Sequence, residues 1–271
     1  MAVLGKRPDG YHELLTLFER VSLADDLRVE LAPGREIQFT CDAPGVPSDS
    51  TNLAVRAAEL FRQASGWRGG LRIELTKRVP AGGGLGGGSS DAASVLLALQ
   101  RLSGSALSRE KLMECARSLG ADVAFFTADA SWALGRDRGD RIEPLPLKAS
   151  LWHLLVTPDF PIPTKNVYQG LQLTPPRTDV TLLIQALEKG EISRVRELLF
   201  NSLEPAVEAL YPRMLEVKVD VERLTGLSGV MVSGSGSTVF AICDSQAQAE
   251  RAVVMMRKER PTWKAFAAST C

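Results

Sequence analysis

The 271-residue sequence has only two histidines and four cysteines. Cys41, Cys115, Cys243 and Cys271 are scattered without a Cys-x-x-Cys pair, which excludes a zinc-finger spacing and a disulfide framework. An excess of either charge is also missing. Lys+Arg and Asp+Glu stand at 32 each, which argues against nucleic acid or a membrane surface as a partner recruited by bulk electrostatics. Any anion site must therefore be local. No apolar run approaches the roughly 18–20 residues needed to span a bilayer, and no signal-peptide hydrophobic region opens the chain. The expectation is a cytoplasmic enzyme with a small-molecule partner, a monomer or weak homodimer. The length allows one large or two moderate domains, and no internal repeat or low-complexity tract is evident.

What the sequence does have is Pro80-Ala-Gly-Gly-Gly-Leu-Gly-Gly-Gly-Ser-Ser-Asp-Ala-Ala93, with six glycines in seven positions. Such a loop lets the backbone take positive φ and approach a ligand closely. Ala92, Ala93, Val95, Leu96, Leu99 and Leu102 follow at helical spacing, which predicts a buried helix starting near Ser89 or Ser90. A glycine loop feeding a helix N-terminus presents unpaired N–H groups and the positive end of the dipole, an arrangement suited to phosphate. It is not a Walker loop, because no lysine follows Gly88. The dinucleotide pattern G-x-G-x-x-G is met formally by Gly82, Gly84 and Gly87, after a strand at 71–75. Pro80 between strand and loop and the polar Ser-Ser-Asp opening of the helix weigh against it.

Elsewhere, Lys6-Arg-Pro-Asp-Gly10 predicts a turn between strands at 2–5 and 12–18, followed at once by Tyr11 and His12, either ligand contacts or the start of a half-buried strand. Alternation predicts strands at 27–31 and 36–40. A helix is expected from 50–52 to Gly66, with Asn52 as a cap, and another from Ser108 through Arg117. Asp122, in Gly120-Ala-Asp-Val-Ala-Phe-Phe126, reads as a helix cap or as a carboxylate placed at a site, and the segment alone slightly favours the cap. Charged turns and then Pro144 and Pro146 place a domain boundary near residue 148, dividing the chain into 1–148 and 149–271. The second half opens with a strand at 151–157 and a proline-broken loop to Tyr168. Helices follow, then a Gly/Ser turn at Ser233–Ser237 between strands, a helix at 246–258 and a last strand at 264–268. That turn suits a plain β-hairpin, yet two Gly/Ser loops in one chain suggest two walls of one anionic site.

Taken together, Pro80–Asp91, Gly120-Ala-Asp-Val and Val232-Ser-Gly-Ser-Gly-Ser resemble the GHMP kinases over essentially the whole chain. Gly5-Lys-Arg-Pro-Asp-Gly-Tyr-His-Glu-Leu14, Ile162-Pro-Thr164 and Asn201-Ser-Leu-Glu204 look like the branch acting on a cytidine diphosphate sugar alcohol. The resemblance implies an α+β fold, with an N-terminal domain like ribosomal protein S5 domain 2 and a ferredoxin-like C-terminal domain. It implies transfer of the γ-phosphoryl of ATP, with Mg²⁺, to the 2-hydroxyl of an erythritol unit in non-mevalonate isoprenoid biosynthesis. Pro80, Gly82, Gly83, Gly84, Gly86, Gly87, Gly88, Ser89 and Ser90 would then hold the ATP phosphates, the two serines helping to place the metal, with no residue assigned as a metal ligand outright. Asn52 and Lys77 would lie on the adenine side. Asp122 would be the base, or orienter, of the attacking hydroxyl. Tyr11 and Tyr168 would stack on the cytosine and His12 would read its edge, while Thr164, Ser233, Gly234, Ser235 and Gly236 would wall the substrate. The family's usual first strand, Pro-Ala-Lys-x-Asn-Leu, has no counterpart here, and Lys6 does not replace its lysine. The expectation is therefore a shortened chain of reduced rate, with a catalytically silent nucleotide-binding homologue as the alternative.

Overall fold

The computed structural model describes residues 1–173 and 179–271. Pro-Asp-Gly builds the first hairpin as its turn chemistry requires. Strands β1 (Ala2–Lys6) and β2 (His12–Glu19) pair antiparallel with Lys6 opposite His12, and Gly10 takes φ +86°. This hairpin continues into β6 (Trp132–Arg136) and β7 (Arg141–Leu145), giving a four-stranded sheet in the order β1-β2-β6-β7.

A second sheet holds β3 (Asp26–Ala32), β4 (Ile37–Cys41) and β5 (Gly70–Thr76) in the order β3-β5-β4. Strand β5 is antiparallel to β3 and parallel to β4. Its alternation sends Leu71, Ile73 and Leu75 into the core, where Phe61, Val95, Leu96, Leu99, Ala116 and Val123 close over them. Those residues come from α1 (Leu53–Ser65), α2 (Gly87–Leu102), α3 (Arg109–Leu119) and α4 (Ala121–Thr127). Helix α1 begins where Asn52 accepts from the Ala54 N–H and ends at Gly66 in the left-handed region.

The second half is built on an antiparallel sheet in the order β11-β8-β10-β9, comprising β8 (Trp152–Thr157), β9 (Met231–Val232), β10 (Val239–Cys243) and β11 (Lys264–Ser269). Six helices accompany it among the described residues: α5 (Thr164–Gln169), α6 (Val180–Lys189), α7 (Ile192–Leu198), α8 (Glu204–Leu210), α9 (Arg213–Thr225) and α10 (Gln246–Glu259). Leu154, Val156, Val217, Val221, Val239, Ala241 and Met256 form its centre. The halves interlock. Val3 of β1 is buried in this second core and its N–H donates to Ser202 Oγ at 3.0 Å. Glu19, at the end of β2, lies 2.8 Å from His153 Nε2 and accepts from the Thr270 hydroxyl at 2.5 Å.

Two local features differ from the sequence expectations. Helix α2 starts at Gly87, not Ser89 or Ser90, because Gly86 takes φ +67° and ends the loop two residues earlier, so the first turn opens with two glycines. The stretch after Pro158 contains a short helix, α5, whose first turn follows Pro163; proline's fixed φ and missing N–H cost nothing where a helix begins. Among the described residues, no helix is long and apolar enough to cross a membrane.

Candidate active site

The two glycine loops lie against each other. Thr238 N–H donates to the Gly83 carbonyl at 3.0 Å, and the Ser233 hydroxyl donates to the Gly84 carbonyl at 2.8 Å. A Cβ on Gly84 would collide with the Ser233 carbonyl oxygen, and one on Gly83 would stand 2.9 Å from Thr238 Oγ1. Glycine is needed here for close approach between two backbones as well as for φ +77° at Gly84. Gly82 and Gly88 face open space, where a Cβ would meet nothing within 4 Å. Between them, the first N–H groups of the 16-residue helix α2 lack partners in their own helix and carry its positive end.

Asp122 lies beside that helix start. A Cβ placed on Gly86 would stand 2.9 Å from the Phe126 ring and 3.7 Å from Asp122 Oδ2. Asp122 is the second residue of α4, and the N-cap is Gly120, which offers no side chain. The capping alternative for Asp122 is thereby overturned: Gly120 holds the N-cap position and no side chain makes a cap hydrogen bond there. Asp122 is solvent-accessible yet densely surrounded by protein, the situation of a cleft floor. That enclosure pushes its carboxyl above the ordinary range.

An aromatic wall faces this carboxylate. The His12 and Tyr168 rings lie 5.2 Å apart, tilted by 36°. Burial, and then the negative charge of Asp122, push the Tyr168 phenol up to about 12, so it remains a neutral donor throughout the working range. Thr164 Oγ1 and Ser235 Oγ are 2.8 Å apart, joining the start of α5 to the second glycine loop. Tyr11 is 57% exposed, and one of its faces carries the Arg138 guanidinium, 5.0 Å from the ring centre.

Beneath the first glycine loop is a buried ion triad. Lys77 Nζ pairs with Asp25 and, at 3.1 Å, with Asp91, all three side chains being less than a tenth exposed. Asp25 also accepts from the N–H groups of Arg78 and Val79 at 2.6 and 2.8 Å. Burial opposes the Lys77 charge, but the two carboxylates outweigh it and its pKa is raised. Burial pushes Asp91 up to about 6, Lys77 working against the rise and the Asp25 charge adding to it. The ammonium would be 3.3 Å from a Cβ on Gly87, so the triad supports the floor of α2's first turn.

The family described as GHMP kinases N terminal domain matches residues 52–129, and that described as GHMP kinases C terminal matches residues 183–261. A 4-diphosphocytidyl-2-C-methyl-D-erythritol kinase from Geobacter sp. (strain M21) is 42% identical over 268 residues, 99% of this chain and 94% of the relative. This chain belongs to the GHMP kinases. A kinase of the same description from Pelotomaculum thermopropionicum is 37% identical, covering 94% of this chain and 89% of its own. A crystal structure of 4-(cytidine 5'-diphospho)-2C-methyl-D-erythritol kinase superposes with a TM-score of 0.84 at 39% identity, covering 99% and 94% of the two chains. Homoserine kinase from Cytophaga hutchinsonii, at 21% identity and TM-score 0.70 over 96% and 88%, shares the fold.

Seen as a GHMP kinase, the molecule brings several expected residues together: Gly83 and Gly84 against Ser233 and Gly236, Gly86 against Asp122, His12 against Tyr168, and Thr164 against Ser235. Others sit differently. Asn52 uses both ends of its amide inside its own loop, Oδ1 accepting from Ala54 N–H and Nδ2 donating to the Pro47 carbonyl, each at 2.8 Å. Lys77 is turned under the loop rather than into open space. Asn201 is a residue whose role sequence reasoning missed. It is buried and donates to the carbonyls of Val232 and Gly234 at 3.0 and 2.8 Å, fixing the second glycine loop. Its place in Asn201-Ser-Leu-Glu204 was a signal without a mechanism until the fold put it under that loop. Asp25 and Arg138 carried no sequence signal of their own.

Proposed function

We propose that this kinase transfers the γ-phosphoryl group of ATP to the 2-hydroxyl of 4-diphosphocytidyl-2-C-methyl-D-erythritol, a step of non-mevalonate isoprenoid synthesis. The observation that carries the reading is the Asp122 carboxylate beside Gly86, at the start of a helix whose unpaired N–H groups suit phosphate. Residues 82–90 hold the nucleotide phosphates, with Lys77 acting on the nucleotide from beneath the loop and Asn52 shaping the adenine side through its capped turn. Tyr11 and Tyr168 take the cytosine between aromatic faces and His12 reads its edge. Thr164 and the Ser233–Gly236 loop close the site from the second half. The same reading divides the chain near residue 148, between β7 and β8.

Asp122 accepts the proton of the 2-hydroxyl as the hydroxyl oxygen bonds to the γ-phosphorus. The bond from that phosphorus to the β–γ bridging oxygen breaks, and ADP leaves with the electron pair. Phosphoryl transfer asks mainly for alignment and charge stabilisation, which the α2 N-terminus and the second loop provide. Among the described residues there is no group of three or more His, Cys, Asp or Glu side chains able to hold a metal. Mg²⁺ needs no such cluster, since it binds through one or two protein oxygens plus substrate phosphates and water. The Ser89 and Ser90 hydroxyls in the first turn of α2 would help to place it, and its charge would offset that of the phosphate oxygens.

The test is a coupled ADP-release assay with the cytidylyl substrate, homoserine and mevalonate side by side. Turnover is expected with the cytidylyl substrate. Faster turnover of either competitor would defeat the assignment.

A further inference from the structure

Arg138 has no part in the reading above, yet it stands against Tyr11. It belongs to the turn between β6 and β7, whose Gly139 packs 3.6 Å (measured from a Cβ built on it) from Ala121, the residue next to Asp122. Its guanidinium donates to Asp140 Oδ2 at 2.6 Å and lies over the Tyr11 ring at 5.0 Å. Asp140 is itself buried, and its carbonyl accepts from Arg117 of α3 at 3.3 Å. The preceding residue of the turn is tied to the first hairpin as well, the Asp137 carbonyl accepting from Leu14 N–H at 2.6 Å. Tyr11, by contrast, is held only through its backbone: its N–H donates to Asp9 Oδ1 at 3.1 Å and its carbonyl accepts from Arg7 N–H at 2.8 Å. An exposed ring anchored only at its backbone has free rotamers unless something fixes its plane.

We infer that Arg138 is a positioning residue for substrate recognition: held by Asp140, it covers one face of Tyr11 and leaves the other set for the pyrimidine. A guanidinium over a phenol ring is attracted by the ring's negative face, and its planar shape stacks where a lysine would touch only at a point. The fixed ring then meets the flat base without first losing rotamer freedom, which lowers the cost of binding. Because the same turn packs against Ala121, the ring's position is referenced to the helix that carries Asp122. This inference rests on the reading of Tyr11 as the cytosine platform.

The experiment is steady-state kinetics on the full chain with R138A, R138K, Y11A and the R138A/Y11A double variant, varying ATP and the cytidylyl substrate separately. R138A should raise KM for the cytidylyl substrate about two- to fivefold, a span set by an exposed cation–π contact, with kcat and KM for ATP unchanged. R138K should recover part of the loss. In the double variant, loss of Arg138 should add nothing to loss of Tyr11, because one acts through the other. A full additional effect of R138A in the Y11A background, or a fall in kcat without a change in KM, would overturn the inference. If Y11A raises KM but R138A and R138K both leave it unmoved, the Arg138 role fails while Tyr11 stands. If Y11A itself has no effect, the platform reading fails and the inference falls with it. Thermal melts of R138A, expected to show a small loss from the unpaired Asp140 carboxylate but a single cooperative transition, separate these results from misfolding.

Discussion

The Ser233 hydroxyl donates to the carbonyl of Gly84 at 2.8 Å across 149 positions of sequence, tying the two glycine loops into one wall. Closing that contact requires Gly84 to have no side chain, since a Cβ would strike the Ser233 carbonyl and stand 2.8 Å from that of Gly236. Gly82 has a similar positive φ but open space around it. Gly84→Ala should therefore lose about 3 kcal/mol or more, combining left-handed strain with overpacking. Gly82→Ala should lose only about 1 kcal/mol. Urea unfolding midpoints of the two variants measure the difference, and equal losses would mean the loops do not touch as described.

Asp122→Asn should lower kcat by about 10²–10⁴-fold while leaving nucleotide affinity unchanged, as expected for loss of a group needed during attack. Its raised pKa gives two signs to check. Activity needs the ionised form, so kcat should fall as pH drops through the raised value. For stability, the folded state binds the proton more tightly than the unfolded state, so the contribution of Asp122 is greatest at low pH and is lost as pH rises through its folded pKa. Asp122→Asn should thus melt higher than the parent at pH 7, and the advantage should fade on acidification. Thermal melts across pH, beside kcat profiles, would show both trends; a less stable variant at pH 7 would contradict the enclosed carboxylate.

The triad under the loop predicts an asymmetry between its members. Lys77→Met leaves Asp25 and Asp91 buried together without their cation, a loss of about 3–5 kcal/mol. Asp91→Asn keeps the Lys77–Asp25 pair and should be far milder. Asp91 titrates at about 6 in the folded chain and about 4 unfolded. The folded state therefore binds more protons between those values, and stability is lost as pH rises through that window. In Asp91→Asn this slope should disappear. Denaturant titrations at pH 4, 5, 6 and 7 would detect it, and an unchanged slope would remove Asp91 from the account.

Much of this molecule could be read from residue order alone. Alternation in Leu71-Arg-Ile-Glu-Leu75 and the Asn52 and Gly66 caps are local physics, decided by side-chain period and backbone conformation within a few residues, and the structure repeats them closely. The glycine loop ahead of a helix likewise pointed to an anion site, and the ordered set of motifs resembled the kinase family. Local pattern could not choose between cap and site for Asp122, since both uses put an aspartate in the first turn of a helix. The cap reading falls because Gly120 takes the N-cap position, and the fold sets the carboxylate near Gly86 at the start of α2. The resemblance placed Lys77 on the adenine side, and its burial with Asp25 and Asp91 was not legible because those partners are 52 and 14 residues away. The contacts of Asn201 and Arg138 were illegible for the same reason: each acts on a segment distant in sequence, and only packing of the β6–β7 turn and the α8 entrance against those segments decides what their donors meet.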